Sequence, residues 1–181
     1  MRIISGSHKG RVFRPGKNLP VRPTTDYAKE SLFNILNNKI DFEELSVLDL
    51  FAGTGSISFE FASRGAKDVT SVDLSFHCVD FIHKTAESFQ FSNIRTVKAN
   101  CLSFIGYCKV QYDLIFADPP YDLKDIQTIP HLIFNKGLLK EDGLFIIEHP
   151  QECDFSTFPF FSEHRNYGKV NFSFFMNKTK E

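Results

Sequence analysis

Asp118-Pro119-Pro120-Tyr121 follows the apolar run Leu114-Ile115-Phe116-Ala117, and this set of residue types suits the handling of a planar amine. Neither proline has an N–H to give a sheet ladder, so a buried strand must stop there. One carboxylate, the carbonyls beside the prolines and one aromatic ring are left at the strand's carboxyl end, where open α/β sheets put their ligands. The carboxylate and a carbonyl can accept hydrogen bonds from an exocyclic N–H2 while the ring stacks on the group that carries it. An ordinary strand exit with an Asx turn uses the same residues, so the tetrapeptide needs a second feature beside it.

That feature is Val47-Leu48-Asp49-Leu50-Phe51-Ala52-Gly53-Thr54-Gly55-Ser56, which reads as a strand, a tight turn and the start of a helix through Ile57, Phe61 and Ala62. Glycines let backbone approach a ligand closely, and the first turn of the helix has N–H groups to offer it. The third glycine of the dinucleotide fingerprint is replaced by Ser58, and a lone Gly-x-Gly is more commonly a structural turn. Asp73 closes the next strand-like run, Val69-Thr70-Ser71-Val72, about 20 residues on, where such sites hold a carboxylate for ribose hydroxyls.

With the glycine turn, the acidic strand end and Asp-Pro-Pro-Tyr in that order along the chain, the sequence resembles the S-adenosylmethionine-dependent N-methyltransferases, and among them the RsmD-type enzymes that methylate N2 of a guanine in 16S ribosomal RNA. The most specific part of the resemblance is Arg2-Ile3-Ile4, Gly6 and Lys9-Gly10-Arg11, followed by Arg22-Pro23-Thr24-Thr25-Asp26, Glu30 and Leu32-Phe33-Asn34. The glycine turn and Asp-Pro-Pro-Tyr alone occur in methyltransferases of many substrates. Ser56, Ser58, Asp73 and Ser75 stand where the family usually has Ala, Gly, Glu and Asp, which bears on the fine geometry of the cofactor site.

The resemblance implies an α/β fold of the Rossmann-like class I methyltransferase type: a seven-stranded, mostly parallel sheet with helices on both faces, its last strand antiparallel, plus an N-terminal β-hairpin arm. It implies S-adenosylmethionine as cofactor, with Asp49 and the segment Phe51, Ala52, Gly53, Thr54 and Gly55 at its methionine and ribose region. Asp73 falls to the ribose hydroxyls, and Asn100 with Cys101 to the adenine edge. Asn100 fits a helix N-cap equally well. Asp118, Pro119, Pro120 and Tyr121 form the catalytic group, and Thr24, Thr25 and Asp26 border the site or cap a helix.

Charge distribution points to nucleic acid independently of any family. The whole chain has a formal charge of −1, yet residues 1–23 hold Arg2, Lys9, Arg11, Arg14, Lys17 and Arg22 and no acid. A basic segment on an acidic body is the electrostatic sign of a nucleic-acid-binding arm, although a solvated tail has the same composition. Two β-prone runs, Ile3-Ile4 and Val12-Phe13, flank a glycine-containing turn and read as a hairpin, which would hold Arg2, Lys9, Arg11, Arg14 and Arg22 in a fixed array. Residues 1–23 are therefore expected to form an RNA-recognition arm and residues 24–181 the methyltransferase domain. The partner expected is 16S ribosomal RNA, in the small ribosomal subunit or an assembly intermediate of it.

The rest of the chain excludes other classes. At 181 residues, one catalytic domain suffices. No run approaches the roughly 18 apolar residues of a membrane span, and the start lacks a signal-peptide apolar region, so a cytoplasmic location is expected; a monomer is expected as well. Cys78, Cys101, Cys108 and Cys153 have no metal-ligand spacing, nor do the six histidines, so free thiols and no metal are expected. The 21 phenylalanines read first as core.

Elements alternate along the chain. A helix is expected from Asp26 with Leu32, Phe33, Ile35 and Leu36 inward, and another after Asp73 with Phe76, Val79, Ile82, Ala86 and Phe89 on its apolar side. A strand near Arg95–Lys98, a short helix after Asn100 and the strand into Asp118 come next. A helix carrying Ile126, Ile129, Ile133 and Phe134, a strand Leu144–Ile147 after the turn Glu141-Asp142-Gly143, and a terminal hairpin through Gly168-Lys169 complete the chain. Such alternation predicts a parallel sheet covered on both faces.

In the expected chemistry, Asp118 and the Pro119 carbonyl accept both N2 hydrogens, turn the nitrogen lone pair outward and stabilise the charge that develops on it. With an ordinary carboxylate pKa, Asp118 orients the amine rather than acting as a base before transfer. Other readings are a DNA adenine-N6 or protein-amide methyltransferase, or a non-catalytic RNA-binding assembly factor. The DNA reading lacks a separate target-recognition domain, and the presence of Asp118 argues against the last.

Overall fold

The computed structural model describes residues 1–16, 19 and 26–178. Among these residues, five helices and seven strands follow in chain order: α1 (Asp26–Leu36), β1 (Ser46–Leu50), α2 (Ser56–Ser63), β2 (Asp68–Asp73), α3 (Phe76–Phe89), β3 (Ile94–Lys98), α4 (Cys101–Tyr107), β4 (Tyr112–Ala117), α5 (Thr128–Asn135), β5 (Leu139–His149), β6 (Phe161–Tyr167) and β7 (Val170–Met176). One sheet runs in the order β3-β2-β1-β4-β5-β7-β6. β1 to β5 are parallel, and β7 lies antiparallel between β5 and β6. The expected seven-stranded sheet is present, with its last strand reversed.

Strand alternation divides the core into two layers. Val47, Leu114, Phe116, Leu144, Ile146, Phe172 and Phe174 pack with α1, α2 and α3 through Leu32, Phe33, Ile57, Phe59, Phe61 and Ile82. Leu48, Leu50, Ile115, Ala117, Phe145, Ile147 and Phe175 pack with α4 and α5 through Phe104, Ile105, Ile129 and Ile133. Helices therefore cover both faces. β1 and β4 are neighbours although β2, β3 and three helices separate them in sequence, so the order reverses between them and a crevice opens at their carboxyl ends.

Three local readings need correction. β5 begins at Leu139, and the expected turn Glu141-Asp142-Gly143 lies inside it as an irregularity. Asp142 takes a φ of 57° there, and the segment stays in the sheet because Asp142 N–H donates to Asn177 O and Asn177 N–H to Gly143 O. Ile126 precedes α5 rather than riding on it, though it is buried in the same layer. Phe76 is 59% exposed, because the first residue of α3 overhangs the carboxyl end of the sheet instead of facing its core.

The N-terminal segment is a short hairpin: Arg2 and Val12 are bridged, Ile3 N–H donates to Arg11 O and Gly10 N–H to Ile3 O. It is docked on the sheet's helical layer. Ile3 and Phe13 are buried in the core, Ser7 N–H donates to Ser63 O at 2.8 Å, and a Cβ on Gly6 would lie 1.8 Å from that same carbonyl. Beneath it, the buried Glu60 carboxylate accepts the N–H groups of Ile4 and Ser5 and the guanidinium of Arg64. Lys29, also fully buried, lies 3.7 Å from Glu60 and donates to Arg2 O and Ser56 Oγ. Burial holds the Lys29 ammonium below its ordinary pKa, against the raising effect of Glu60. No sequence pattern marks this knot, since Lys29 and Glu60 sit at helical positions that read as solvated.

Candidate active site

Four strands end in an acid at the same edge of the sheet. Asp49 lies one residue before the end of β1, Asp73 ends β2, Asp118 follows β4, and Glu148 lies one residue before the end of β5. The glycine turn runs over this edge between β1 and α2. Phe51, Gly53 and Gly55 have φ of 61°, 54° and 73°, so the chain leaves β1 through left-handed backbone. Gly55 has no alternative: a Cβ there would meet Ile82 at 2.8 Å and Phe59 at 3.1 Å.

Asp73 organises that turn. Its Oδ2 accepts Gly53 N–H and its Oδ1 accepts Ser75 N–H, both at 2.8 Å. Each carboxylate oxygen has two lone pairs, so these bonds fix the carboxylate and leave it able to accept from ribose hydroxyls. Ser75, in turn, caps α3 by accepting Cys78 N–H, which gives that departure from the family pattern a structural use. The exposed side chains of Leu74 and Phe76 flank Asp73 and offer an apolar surface for a flat ring. Sequence reasoning placed Phe76 in the core and did not assign Leu74.

Asp49 is buried beneath the turn. Ser58 Oγ donates to it and is itself within 2.7 Å of Ser71 Oγ. Burial pushes the Asp49 carboxyl up to about 7 against the lowering effect of Ser58. Thr54 is buried with its hydroxyl directed at Met1 Sδ, while Ala52 N–H donates to Val72 O. Cys101 accepts Phe51 N–H and donates to Val72 O, and burial pushes its thiol up to about 12. Cys101 thus ties the turn to β2 as an inert thiol. Asn100 caps α4, its Oδ1 accepting Ser103 N–H at 3.0 Å, so the capping alternative describes its side chain.

Asp118 continues β4 by donating its N–H to Leu50 O, across the crevice from the glycine turn. Pro119 is buried, Pro120 exposed and Tyr121 47% exposed. Tyr121 Oη donates to Glu148 Oε1 at 3.1 Å, which fixes the ring's direction. Burial, then the charges of Glu148 and Asp49, hold the Asp118 carboxyl well above the usual carboxylate range. The expectation of an ordinary pKa there is corrected: like charges in a poorly solvated crevice make the proton hard to lose. Glu148 was missed, although its signal was the one that found Asp118, an acid terminating an apolar run.

Of the basic residues, Lys9, Arg11 and Arg14 are exposed on or beside the hairpin. Arg2 is exposed 3.6 Å from Asp26, and Arg11 lies over the Phe89 ring at 5.2 Å. Arg22, Thr24 and Thr25 lie outside the described residues. All four cysteines are free, and no described helix is long and apolar enough to cross a membrane.

The donor set fits S-adenosylmethionine. Buried or half-buried carboxylates at the ends of β1, β2 and β4 suit a ligand with two positive centres and a ribose, and Leu74 with Phe76 suits its adenine.

Known proteins are similar to this chain in sequence and fold. The Escherichia coli (strain K12) protein named ribosomal RNA small subunit methyltransferase D is 30% identical over 88% of this chain and 79% of its own. The solved structure of Escherichia coli yhhF matches 99% of both chains with a TM-score of 0.86 and 26% identity. In fold alone, the chain also matches the Thermus thermophilus 16S rRNA N2 G1207 methyltransferase RsmC, solved with AdoMet and guanosine, over 86% of this chain and 44% of that one, with a TM-score of 0.69 and 17% identity. The model of the family described as conserved hypothetical protein 95 matches residues 1–176, and the chain belongs to that family.

Proposed function

We propose that this protein transfers the methyl group of S-adenosylmethionine to the exocyclic N2 of a guanine in small-subunit ribosomal RNA. The observation that carries the reading is the position of Asp118-Pro119-Pro120-Tyr121 beside the glycine turn, at the point where the strand order reverses. The small-subunit RNA named for the Escherichia coli relative supports the choice of substrate.

The bound cofactor would supply an activated methyl on a sulfonium, and the chain's own residues do the rest. Asp73, the turn from Phe51 to Gly55, and Asp49 beneath it would hold the cofactor, with Cys101 and the start of α4 bordering the adenine. Asp118 and the Pro119 carbonyl accept the two N2 hydrogens, which orients the amine and stabilises its developing positive charge. Arrival of those donors favours the ionised form of Asp118, whose raised pKa then equips it to take the proton as the amine becomes cationic. Tyr121, held by Glu148, offers its exposed ring to a base that has left its stack. The exposed Lys9, Arg11 and Arg14, with Arg2 and Arg22, make residues 1–23 the RNA-contacting part.

The test is transfer of labelled methyl from S-adenosylmethionine to small-subunit particles from a strain lacking this gene, followed by nucleoside analysis. N2-methylguanosine is expected. Label in N6-methyladenosine, or none in RNA, would overturn the reading.

A further inference from the structure

Glu148 belongs to the substrate side of this site. β4 and β5 are parallel with Ala117 opposite Ile147, so the next residues, Asp118 and Glu148, stand side by side on strands about 4.8 Å apart. Ala117 and Ile147 face the layer of α4 and α5; one residue on, both acids point to the opposite face, above Phe116 and Ile146. Glu148 is 6% exposed and bonded to the Tyr121 hydroxyl. One buried and one half-buried acid held side by side in a crevice oppose each other's ionisation, an arrangement that stability alone disfavours and that hydrogen-bond donors from a ligand would relieve.

A guanine presented with its N2 to Asp118 brings a second donor, N1–H, on the same edge. Resting on the guanine-N2 reading, we propose that Glu148 accepts the N1–H of the target guanine while Asp118 accepts an N2–H, so that the paired carboxylates read the base as well as aim its amine. Tyr121 serves both ends: its ring faces the base and its hydroxyl orients Glu148. Adenine offers a lone pair at N1, and a carboxylate facing a lone pair rejects it. A pocket built around a hydrogen-bonding donor discriminates strongly against an analogue that lacks it. Glu148 thereby separates guanine-N2 from adenine-N6 chemistry in a site whose Asp-Pro-Pro-Tyr group would serve either amine.

The experiment uses small-subunit particles assembled with guanine or with 2-aminopurine at the methylated nucleotide, and single-turnover methyl transfer by wild type and Glu148→Gln. 2-Aminopurine keeps the 2-amino group but has a lone pair at N1. Wild type should prefer guanine by about 100-fold or more. Glu148→Gln should lose much of its rate on guanine while its amide donates to N1 of 2-aminopurine, narrowing the preference at least about tenfold. Tyr121→Phe, which keeps the ring and removes the bond to Glu148, should narrow it by a smaller factor. Unchanged S-adenosylmethionine affinity by calorimetry will show that the variants are folded. If wild type methylates guanine and Glu148→Gln keeps the same preference, or slows equally on both bases, the assignment of Glu148 is wrong. If wild type fails on guanine particles, the guanine-N2 reading itself has failed.

Discussion

Ser58 Oγ donates to Asp49 Oδ2 at 2.5 Å from the place where a dinucleotide fingerprint has its third glycine. The glycine in that fingerprint allows close packing of helix on strand. Here a small hydroxyl fits in the same space and bonds to the strand's own carboxylate and to Ser71. Ser58→Ala should therefore destabilise the protein by ~1–3 kcal/mol at pH 8, because a buried charged acceptor loses its donor. Denaturant unfolding should show a smaller loss at pH 5, where Asp49 carries a proton.

The same carboxylate makes stability depend on pH. Asp49 has its pKa raised from 3.8 to about 7, so between those values the folded state holds a proton that the unfolded chain has lost. Stability falls as pH rises through that window and is level above it, by roughly 4 kcal/mol at most if this group acted alone. Asp49→Asn keeps an acceptor for Ser58 and removes the charge. It should flatten the profile and raise stability above pH 7 while weakening the cofactor, measured by unfolding across pH and by calorimetric titration.

Glu60 joins the hairpin to α1 and α2 through Ile4, Ser5, Lys29 and Arg64. Glu60→Ala leaves the buried Lys29 ammonium without its counter-charge and should cost ~3–5 kcal/mol. Double replacement by Lys29→Met and Glu60→Gln, which removes the fully buried ammonium together with its counter-charge and leaves Arg64 bonded to Asn37, should cost less. Hydrogen exchange at Ile4 and Ser5 should rise in both, because each variant weakens the acceptor of their N–H groups.

The sequence carried the sheet plainly, because each central strand is a short apolar run closed by an acid or a turn. The same regularity marked Asp49, Asp73 and Asp118. Glu148 went unassigned because His149 separates it from Pro150, so it lacks the paired prolines and aromatic ring that draw attention to Asp118. Lys29 and Glu60 were illegible for another reason: apart from Arg64, their partners are distant in sequence, and a single charged residue on a helix reads as solvent-facing until the packing is known. The hairpin was legible from its β-prone runs and glycines, whereas its burial depends on Ile3 and Phe13 meeting Phe59 and its neighbours in the fold.

The exposed charges of the hairpin should act on RNA alone. Replacing Arg11 and Arg14 with Ala should weaken binding to small-subunit particles and lower the slope of log affinity against log salt by up to about two. Cofactor affinity should stay as in wild type, since neither side chain reaches the glycine turn in the hydrogen bonds that hold it. Titration of particles at several salt concentrations measures the slope; parallel lines of equal affinity would make these arginines bystanders.

Asp118 should separate activity from stability and from cofactor binding. Asp118→Ala removes the acceptor for N2–H and should lower methyl transfer by about 100-fold or more, while S-adenosylmethionine binding changes only a few-fold. Because the residue is a desolvated acid beside Glu148, its loss should leave the melting temperature equal or higher, so inactivity would not reflect unfolding. In wild type, the acid must lose its proton before it can accept from the amine. Its pKa lies above the usual carboxylate range, so kcat/KM should rise with pH well above the range where an ordinary aspartate titrates. Glu148→Gln removes the neighbouring like charge and should move the midpoint of that rise to lower pH. A wild-type profile with its midpoint near pH 4, or a midpoint unmoved by Glu148→Gln, would show that the two carboxylates do not share the site in the way the register of β4 and β5 places them.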